Sequence, residues 1–291
     1  MNKNIQTMVD HWLKLLICLV VAMSARVTST EIDNVTITIL DNAVARGAVC
    51  LDGGPPAYYF SKGFGDGVNN WLIDLQGGGW CNTPEGCAYR SNHDTGSSKY
   101  KTTTARFGGM KSANQTKNPE FYNWNIINVG YCDCSSYTGD VEAADPTTNV
   151  TRRGARIFDF VMEDLLSKGM ANAENAILTG GSAGGLGAIL HCDGFRSLLP
   201  NTKRVKCISD SGVFLHAKDL PGADQRAEYF AKMVAYHGVT KSLPSPCTSR
   251  MNASLCVFPE YIVRDIETPI FFIESAFDPY QVIQIYYLFN N

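Results

Sequence analysis

The segment 178–190, LTGGSAGGLGAIL, places a serine between glycines where an apolar run gives way to helix-forming residues. Residues 180–184 fit the pattern G-x-S-x-G, with NAIL before them as a strand and GLGAILHCDGF after them as a helix. In such a nucleophile elbow the turn is strained, and neighbours without side chains allow the helix to pack closely. The segment therefore predicts an α/β fold with Ser182 as a nucleophile, and a glycine-rich turn without a catalytic role is the alternative.

Short apolar runs recur along the chain, and they are rich in β-branched or aromatic residues and bounded by turn formers, as buried strands are. The predicted strands are 35–40, 71–76, 124–131, 175–180, 205–210 and 269–275. Apolar residues at helical spacing predict helices over 155–170 and 227–238. The alternation favours one α/β domain whose mainly parallel sheet is flanked by helices.

Composition limits the partners of the chain. Its 291 residues are 45% hydrophobic and 18% charged, with 25 Lys and Arg against 28 Asp and Glu. This balance supports a substantial core and provides no basic surface for nucleic acid. An acidic polysaccharide stays compatible with it, because local basic patches coexist with a small net charge.

The N-terminus has the features of a secretory signal peptide over residues 1–25. A polar start carrying Lys3 and Lys14 precedes nine apolar residues, 15–23, and small residues follow at a cleavage site. Nine residues are too few to cross a bilayer, which takes about 20. We expect a secreted mature domain over residues 26–291 without a membrane span, and a buried N-terminal helix is the alternative.

Cysteines and glycosylation motifs agree with secretion. Nine cysteines remain without Cys18, and an oxidising compartment favours pairing eight of them. The predicted pairs are Cys81–Cys87, Cys192–Cys207, Cys247–Cys256 and Cys50–Cys132, which leaves Cys134 free. None of these spacings has the doubled CxxC of a zinc site, and we expect neither a metal nor another cofactor. Sequons lie at Asn34, Asn114, Asn149 and Asn252.

A second glycine cluster strengthens the catalytic interpretation. The segment 75–81, LQGGGWC, follows a predicted strand, where an α/β-hydrolase has the loop that supplies an oxyanion donor. The predicted donors are the backbone N–H groups of Gly79 and Trp80 in this loop and of Ala183 after the nucleophile. Each such donor contributes about 10²–10³ in rate. Alone, the three glycines would indicate only a tight loop or an anion-binding turn.

Longer segments resemble the plant pectin acetylesterases, and more distantly the Notum carboxylesterases. They include GAVCLDGGPPAYYFSKGFGDGVNNWLIDLQGGGWCNTPEGC, FYNWNIINVGYCD, SSYTGDVEAADP, RGARIF, GSAGGLGAILHCD and CTSRMNASLCVFP, and the resemblance runs from about 35 to 281. It implies an α/β-hydrolase-type serine esterase that removes acetyl groups from pectin in the cell wall. It also implies Ser182 as nucleophile, Asp278 as the acid and Trp80 in the substrate pocket, with core packing as the alternative for Trp80. Asp278 follows the predicted strand 269–275, where the chain order Ser, Asp, His expects an acid.

The chain departs from this family in three places. The family usually has cysteine where this chain has Gly181 and glycine where it has Cys134, which supports an incidental role for the Cys134 thiol. After Gln281 the sequence VIQIYYLFNN no longer resembles the family, whose catalytic histidine lies in a further stretch. We therefore expect a chain that is incomplete at its C-terminus, nearly inactive and poorly folded.

No histidine of the chain is a convincing replacement for that base. His191 is nine residues after Ser182 on one predicted helix, which puts it on the opposite face and about 13 Å away. His216 follows a predicted strand at the edge of the sheet where sites form, and is the fallback base. His93 is a weaker candidate, and His237 before a glycine is expected to be a solvated helix cap.

Two classes of function follow. The first is a monomeric carboxylesterase that acts on acetylated pectin outside the cell, with a Notum-like lipid esterase as the variant that a deep apolar pocket would favour. The second is a secreted, catalytically inactive protein that binds polysaccharide. Serine-dependent hydrolysis of pectin acetate separates the two classes.

Overall fold

The protein is represented by a computed structural model that describes residues 34–278 and 280–281. The predicted signal peptide, with His11 and Cys18, lies outside these residues, as does the apolar segment 282–291. None of the described helices is long and apolar enough to cross a membrane.

One eight-stranded sheet forms the centre of the described chain. Its strands are β1 (Val35–Ile39), β2 (Ala57–Ser61), β3 (Asn70–Leu75), β4 (Thr104–Ala105), β5 (Asn125–Val129), β6 (Asn175–Gly181), β7 (Arg204–Asp210) and β8 (Ile270–Ile273). They lie in the order β4-β1-β2-β5-β3-β6-β7-β8. The five strands from β5 to β8 in this order are parallel, whereas the β5–β2, β2–β1 and β1–β4 pairs are antiparallel. The predicted α/β-hydrolase-type architecture, with helices against a mainly parallel sheet, is confirmed.

Helices lie between the strands along the chain and pack against the sheet. They are α1 (Pro84–Ser91), α2 (Gly154–Ser167), α3 (Ala183–Leu198), α4 (Ala223–His237), α5 (Ser245–Thr248) and α6 (Pro259–Ile262). The apolar stripe of α2 and the N-terminal half of α3 are buried in the main core, and α3 packs against β3, β6 and β7. A smaller core, around Tyr59, Leu72 and Ile126, lies on the other face under the segment that carries Phe107.

The six predicted strands all form, within a residue or two of their expected bounds, except that β5 is three residues shorter and β8 spans only four of its seven. The sequence pattern did not reveal β2 and β4, which extend the sheet on its antiparallel side. Both predicted long helices form, as α2 and α4.

Four disulfides join the cysteines in the pairs that the sequence predicts. They are Cys50–Cys132, Cys81–Cys87, Cys192–Cys207 and Cys247–Cys256, and Cys134 is free and buried. The third pair links α3 to β7, so it ties the helix that follows the candidate nucleophile to the neighbouring strand.

Candidate active site

Ser182 occupies a sharp turn between β6 and α3. Its φ of 55° and ψ of −124° lie outside the helical and extended regions, and a residue other than glycine rarely takes a positive φ. The turn is held from below, because the Ser182 N–H donates to the carbonyl oxygen of Asp210 at the end of β7, at 2.8 Å. The side chain is exposed. This strained strand-to-helix turn has the geometry of a nucleophile elbow.

Two glycines allow the elbow to form by close approach of backbone segments. A Cβ on Gly184 would overlap the carbonyl oxygen of Leu75 on β3, and a Cβ on Gly77 would overlap the carbonyl oxygen of Gly181. The Cβ on Gly77 would also lie only 3.1 Å from the Ala183 nitrogen. The loop after β3 therefore packs directly against the first turn of α3.

The conformation of the same loop at Gly78 and Gly79 is set by a left-handed glycine and by hydrogen bonds to two carbonyl groups. Gly79 has a φ of 71°, a conformation that glycine adopts without steric cost. Arg90 donates to the carbonyl oxygen of Gly78 at 2.6 Å, and Tyr131 donates to that of Gly79 at 2.8 Å. The N–H groups of Gly79 and Trp80 donate to no acceptor in the described part of the chain. Both N–H groups are therefore unengaged within these residues.

Trp80 packs inside the protein. Its side chain is 4% exposed, and its Nε1–H donates to Ser136 Oγ at 2.8 Å. Its ring lies edge-on to Phe214 and Phe230, with centroid distances of 4.6 and 5.0 Å, and 6.5 Å from the ring of Tyr280. These three rings line a cavity of about 550 Å³ between the loop after β7 and helix α4. The indole thus supports the walls of this cavity from behind and does not itself line it.

Asp278 lies at the same edge of the sheet as Ser182, since each follows the carboxyl end of a parallel strand and only β7 separates β6 from β8. Its side chain is half-buried, and one carboxylate oxygen accepts from the Gln281 N–H at 2.9 Å. The structure therefore brings Ser182 and Asp278 to one edge.

Two histidines, the half-buried His191 and the buried His237, bond to groups away from Ser182. His191 Nε2 bonds to the Tyr137 carbonyl at 2.9 Å, and the ring stacks on Phe158 at 3.8 Å between centroids. His237 is fully buried, and its Nε2 bonds to the Cys81 carbonyl oxygen at 2.9 Å. Burial lowers the pKa of each imidazole to about 4. The interpretation of His237 as a solvated cap was wrong, because α4 packs its C-terminal turn onto the Cys81–Cys87 disulfide.

The remaining described histidines contact groups other than Ser182. His216 lies after β7, as expected, but its Nδ1 pairs with the Tyr261 hydroxyl at 2.8 Å and its ring stacks on Phe258. His93 is exposed, and its Nδ1 pairs with the Tyr89 carbonyl. Within the described residues, no histidine hydrogen-bonds to Ser182.

One group of metal-ligating type exists in the described part of the chain, formed by Cys81, Cys87 and His237. The two sulfurs are bonded to each other, so they offer no thiolate to a metal. The group is a disulfide beside a histidine.

The two departures from the family pattern have different surroundings. A Cβ on Gly181 would meet nothing within 4 Å, so this position accommodates a side chain. Cys134 has a φ of 50°, a conformation in which glycine is the favoured residue. Burial raises the pKa of its thiol to about 12, so the thiol is neutral and protected from reagents in the folded state.

The sequence did not predict that Arg90 and Tyr131 bond to the 77–80 loop. Arg90 is on α1 and Tyr131 follows β5, so no local pattern connects either one with the glycines that it contacts. The one available signal was the position of Tyr131 just beyond a buried parallel strand, where site residues collect.

The comparisons with known proteins agree with this geometry. The pectinacetylesterase family model matches residues 28–289. Pectin acetylesterase 11 of Arabidopsis thaliana is 51% identical over 271 residues, which are 93% of this chain and 68% of that protein. Pectin acetylesterase 7 of the same plant is 53% identical over 85% of this chain and 63% of its own length.

A more distant relative is the palmitoleoyl-protein carboxylesterase notum1a of Danio rerio, which is 30% identical over 80% of this chain and 49% of that protein. The chain spans 59% to 68% of the length of four Arabidopsis pectin acetylesterases to which it is similar. With a family model covering nearly its whole length and half of its residues identical to those of the plant proteins, the chain belongs to the pectinacetylesterase family.

Proposed function

We propose that the protein is a serine carboxylesterase that hydrolyses acetyl esters of pectin and releases acetate. The observation that carries the proposal is the strained turn at Ser182, packed against a glycine loop with two unengaged N–H groups. Membership of the pectinacetylesterase family supplies the substrate class.

In the proposed reaction, Ser182 Oγ attacks the carbonyl carbon of the acetyl ester. The negative charge that develops on the carbonyl oxygen is stabilised by the N–H groups of Gly79, Trp80 and Ala183. The sugar hydroxyl leaves with a proton, and water then hydrolyses the acetyl-serine to acetate and free enzyme.

Both steps need a base that takes the serine or water proton and returns it to the leaving group, and in this family the base is a histidine. Asp278 is proposed to orient that histidine and to stabilise its charged form. The position of Asp278 beyond β8 supports this role, because its carboxylate accepts only the Gln281 N–H in the described part of the chain. The described histidines have other partners, so the base is not assigned to any of them.

The same proposal places the protein outside the cell, as a monomeric glycoprotein of the cell wall that binds neither nucleic acid nor a membrane. Four disulfides fit an oxidising compartment. The sequon residues Asn34, Asn149 and Asn252 are exposed and Asn114 is half-exposed, so each is accessible to a glycosyltransferase.

The engagement of His191, His216 and His237 by other groups favours a second candidate, a polysaccharide-binding protein without turnover. The cavity of about 550 Å³ lined by Phe214, Phe230 and Tyr280 favours a third, an esterase for long acyl chains like the Notum proteins. Both differ from the first candidate in measurable ways.

The test is secretion of the full 291-residue chain from a plant or insect cell, followed by assays on acetylated pectin and p-nitrophenyl esters of increasing acyl length. Ser182→Ala is the negative control, and Ser211→Ala is the matched control, since Ser211 is a second serine with positive φ at the same sheet edge. Acetate release that requires Ser182 supports the first candidate. Pectin binding without release supports the second, and a preference for long acyl chains supports the third.

A further inference from the structure

Two side chains outside the proposed catalytic group hold consecutive carbonyls of the 77–80 loop. Arg90 Nη1 donates to the Gly78 carbonyl oxygen at 2.6 Å, and the Tyr131 hydroxyl donates to the Gly79 carbonyl oxygen at 2.8 Å. The loop follows β3, whereas these side chains come from α1 and from the segment after β5. The orientation of both peptide groups is therefore determined by residues outside the loop.

A trans peptide places its N–H on the side opposite to its carbonyl oxygen. The described chain has no cis peptide bond, so the N–H groups of Gly79 and Trp80 point away from Arg90 and Tyr131. Neither N–H has an acceptor in the described residues, and the loop runs so close to the elbow that a Cβ on Gly77 would lie 3.1 Å from the Ala183 nitrogen. Fixing the two carbonyls thus fixes the directions of the Gly79 and Trp80 N–H groups, on the side of the loop away from Arg90 and Tyr131.

Tyr131 is built as a rigid anchor. It is fully buried, its hydroxyl also accepts from the Ser136 N–H at 3.0 Å, and a Cβ on Gly78 would lie 2.8 Å from its ring. Burial raises the pKa of the phenol well above its usual value, so the hydroxyl keeps the proton that it donates.

Arg90 is similarly committed. Its Nη1 also reaches Thr95 Oγ1 at 3.5 Å and Cys134 Sγ at 3.8 Å, and it forms no ion pair with any described carboxylate. A guanidinium without a carboxylate partner is strongly held by a carbonyl oxygen in a half-buried setting.

We infer that Arg90 and Tyr131 are positioning residues that orient the N–H groups of Gly79 and Trp80 as oxyanion donors. This inference rests on the proposed function for its kinetic consequence. Neither side chain touches the substrate carbonyl, and both act through the peptide groups of the loop.

The test compares Tyr131→Phe and Arg90→Gln with Tyr58→Phe in the full secreted chain. Tyr58 is a matched control because it is as buried as Tyr131 and donates to Asp164 at 2.7 Å, away from the loop. We expect both loop variants to lower kcat for p-nitrophenyl acetate by about 10²-fold, since a misplaced oxyanion donor acts in the transition state. KM should stay within about twofold, and Arg90→Lys should restore part of kcat. A loss equal to that of Tyr58→Phe, or one confined to KM, would overturn the inference.

A second measurement does not depend on turnover. Crystal structures of Tyr131→Phe and Arg90→Gln should show the Gly79 and Gly78 carbonyls, respectively, rotated from their present directions. Unmoved carbonyls in both variants would overturn the positioning role. If the wild-type chain and Ser182→Ala hydrolyse the ester at the same rate, the proposed function fails, and the carbonyl directions alone decide the inference.

Discussion

Strands β6 and β8 end at the same edge of the sheet in opposite surroundings. After β6, the turn that carries the exposed Ser182 packs against Leu75 and Gly77, and its backbone bonds to the Asp210 carbonyl. After β8, the chain is open to solvent, with Phe277 83% exposed and Asp278 held by one hydrogen bond to Gln281. The nucleophile is therefore organised by backbone packing that is complete within the described residues, whereas the proposed acid is not.

Substitutions at these two strand ends should therefore have different effects. Changes near Ser182 should affect the folding of the turn and the chemistry together, because the same backbone contacts support both. Changes near Asp278 should affect the chemistry alone.

A substitution at Asp278 should lower the catalytic activity without lowering the stability of the fold. In the proposed mechanism Asp278 orients the histidine base, so Asp278→Asn is expected to lower Ser182-dependent kcat by up to about 10⁴-fold. The melting temperature should stay within about 2 °C, since the lost group accepts a single N–H. Ester assays and thermal melts of this variant check both parts.

Asp210→Asn is the control for Asp278→Asn, because Asp210 is an exposed carboxylate at the same edge and its side chain accepts from Ser211 Oγ. If both variants retain wild-type kcat, Asp278 is not the acid.

A substitution that disturbs the turn carrying Ser182 should lower activity and stability together. Gly184→Ala introduces a Cβ that overlaps the Leu75 carbonyl oxygen, so the helix has to move away from β3. Overpacking of this kind costs about 1–3 kcal/mol or more. We expect a lower free energy of unfolding in urea and the loss of Ser182-dependent turnover.

Gly181→Ala is the matched control, since its Cβ would meet nothing within 4 Å. This variant should keep both stability and turnover. Equal stability of the two glycine variants would show that close backbone packing at Gly184 does not stabilise the turn at Ser182.

Acid should destabilise the interior through buried histidines. The pKa of His191 is lowered to about 4 by burial, so the folded state resists protonation that the unfolded state accepts below about pH 6.5. Stability is therefore lost as pH falls from about 6.5 to about 4, by about 1.4 kcal/mol per pH unit. His191→Gln should remove this contribution to the urea-unfolding free energy between pH 7 and pH 5.

His93→Gln is the reference for that measurement because His93 is exposed. Asp133 contributes to the pH dependence of stability with the opposite sign. Burial raises its carboxyl pKa to about 6, so the folded state binds this proton more readily and gains stability as pH falls. Its contribution is common to both variants and cancels in their difference. An identical pH dependence in the two histidine variants would contradict the prediction.

The smallest effect is expected on β8. Phe271 is 65% exposed on the strand, so Phe271→Ser should change the free energy of unfolding by less than about 0.5 kcal/mol. A cost like that of a buried phenylalanine, measured by urea unfolding, would show that this face is covered in solution.

The sequence predicted the elbow side well, because its determinants are local. A strand, five small residues and a helix are adjacent in the chain, and the steric demand at Ser182 selects glycines on both sides. The core strands were likewise visible as apolar runs. Strand β2 was missed because its apolar run, AYYF at 57–60, is only four residues long, although the turn formers GGPP precede it.

Long-range packing accounts for the remaining errors and omissions. His237 looked like a solvent-exposed helix end, but its burial depends on a disulfide about 150 residues earlier in the chain. Arg90 and Tyr131 reach the glycine loop from two other elements, and no periodicity records such a contact. Exposure and side-chain direction at these positions are properties of the assembled fold.

The most direct test of the central claim is capture of the acyl-enzyme. The secreted chain is mixed with p-nitrophenyl acetate, quenched with acid within the first turnover and mapped by peptide mass spectrometry. The proposal predicts one acetyl group on Ser182, and none in the Ser182→Ala variant treated in the same way. Turnover that leaves Ser182 unmodified while another side chain carries the acetyl group would contradict it.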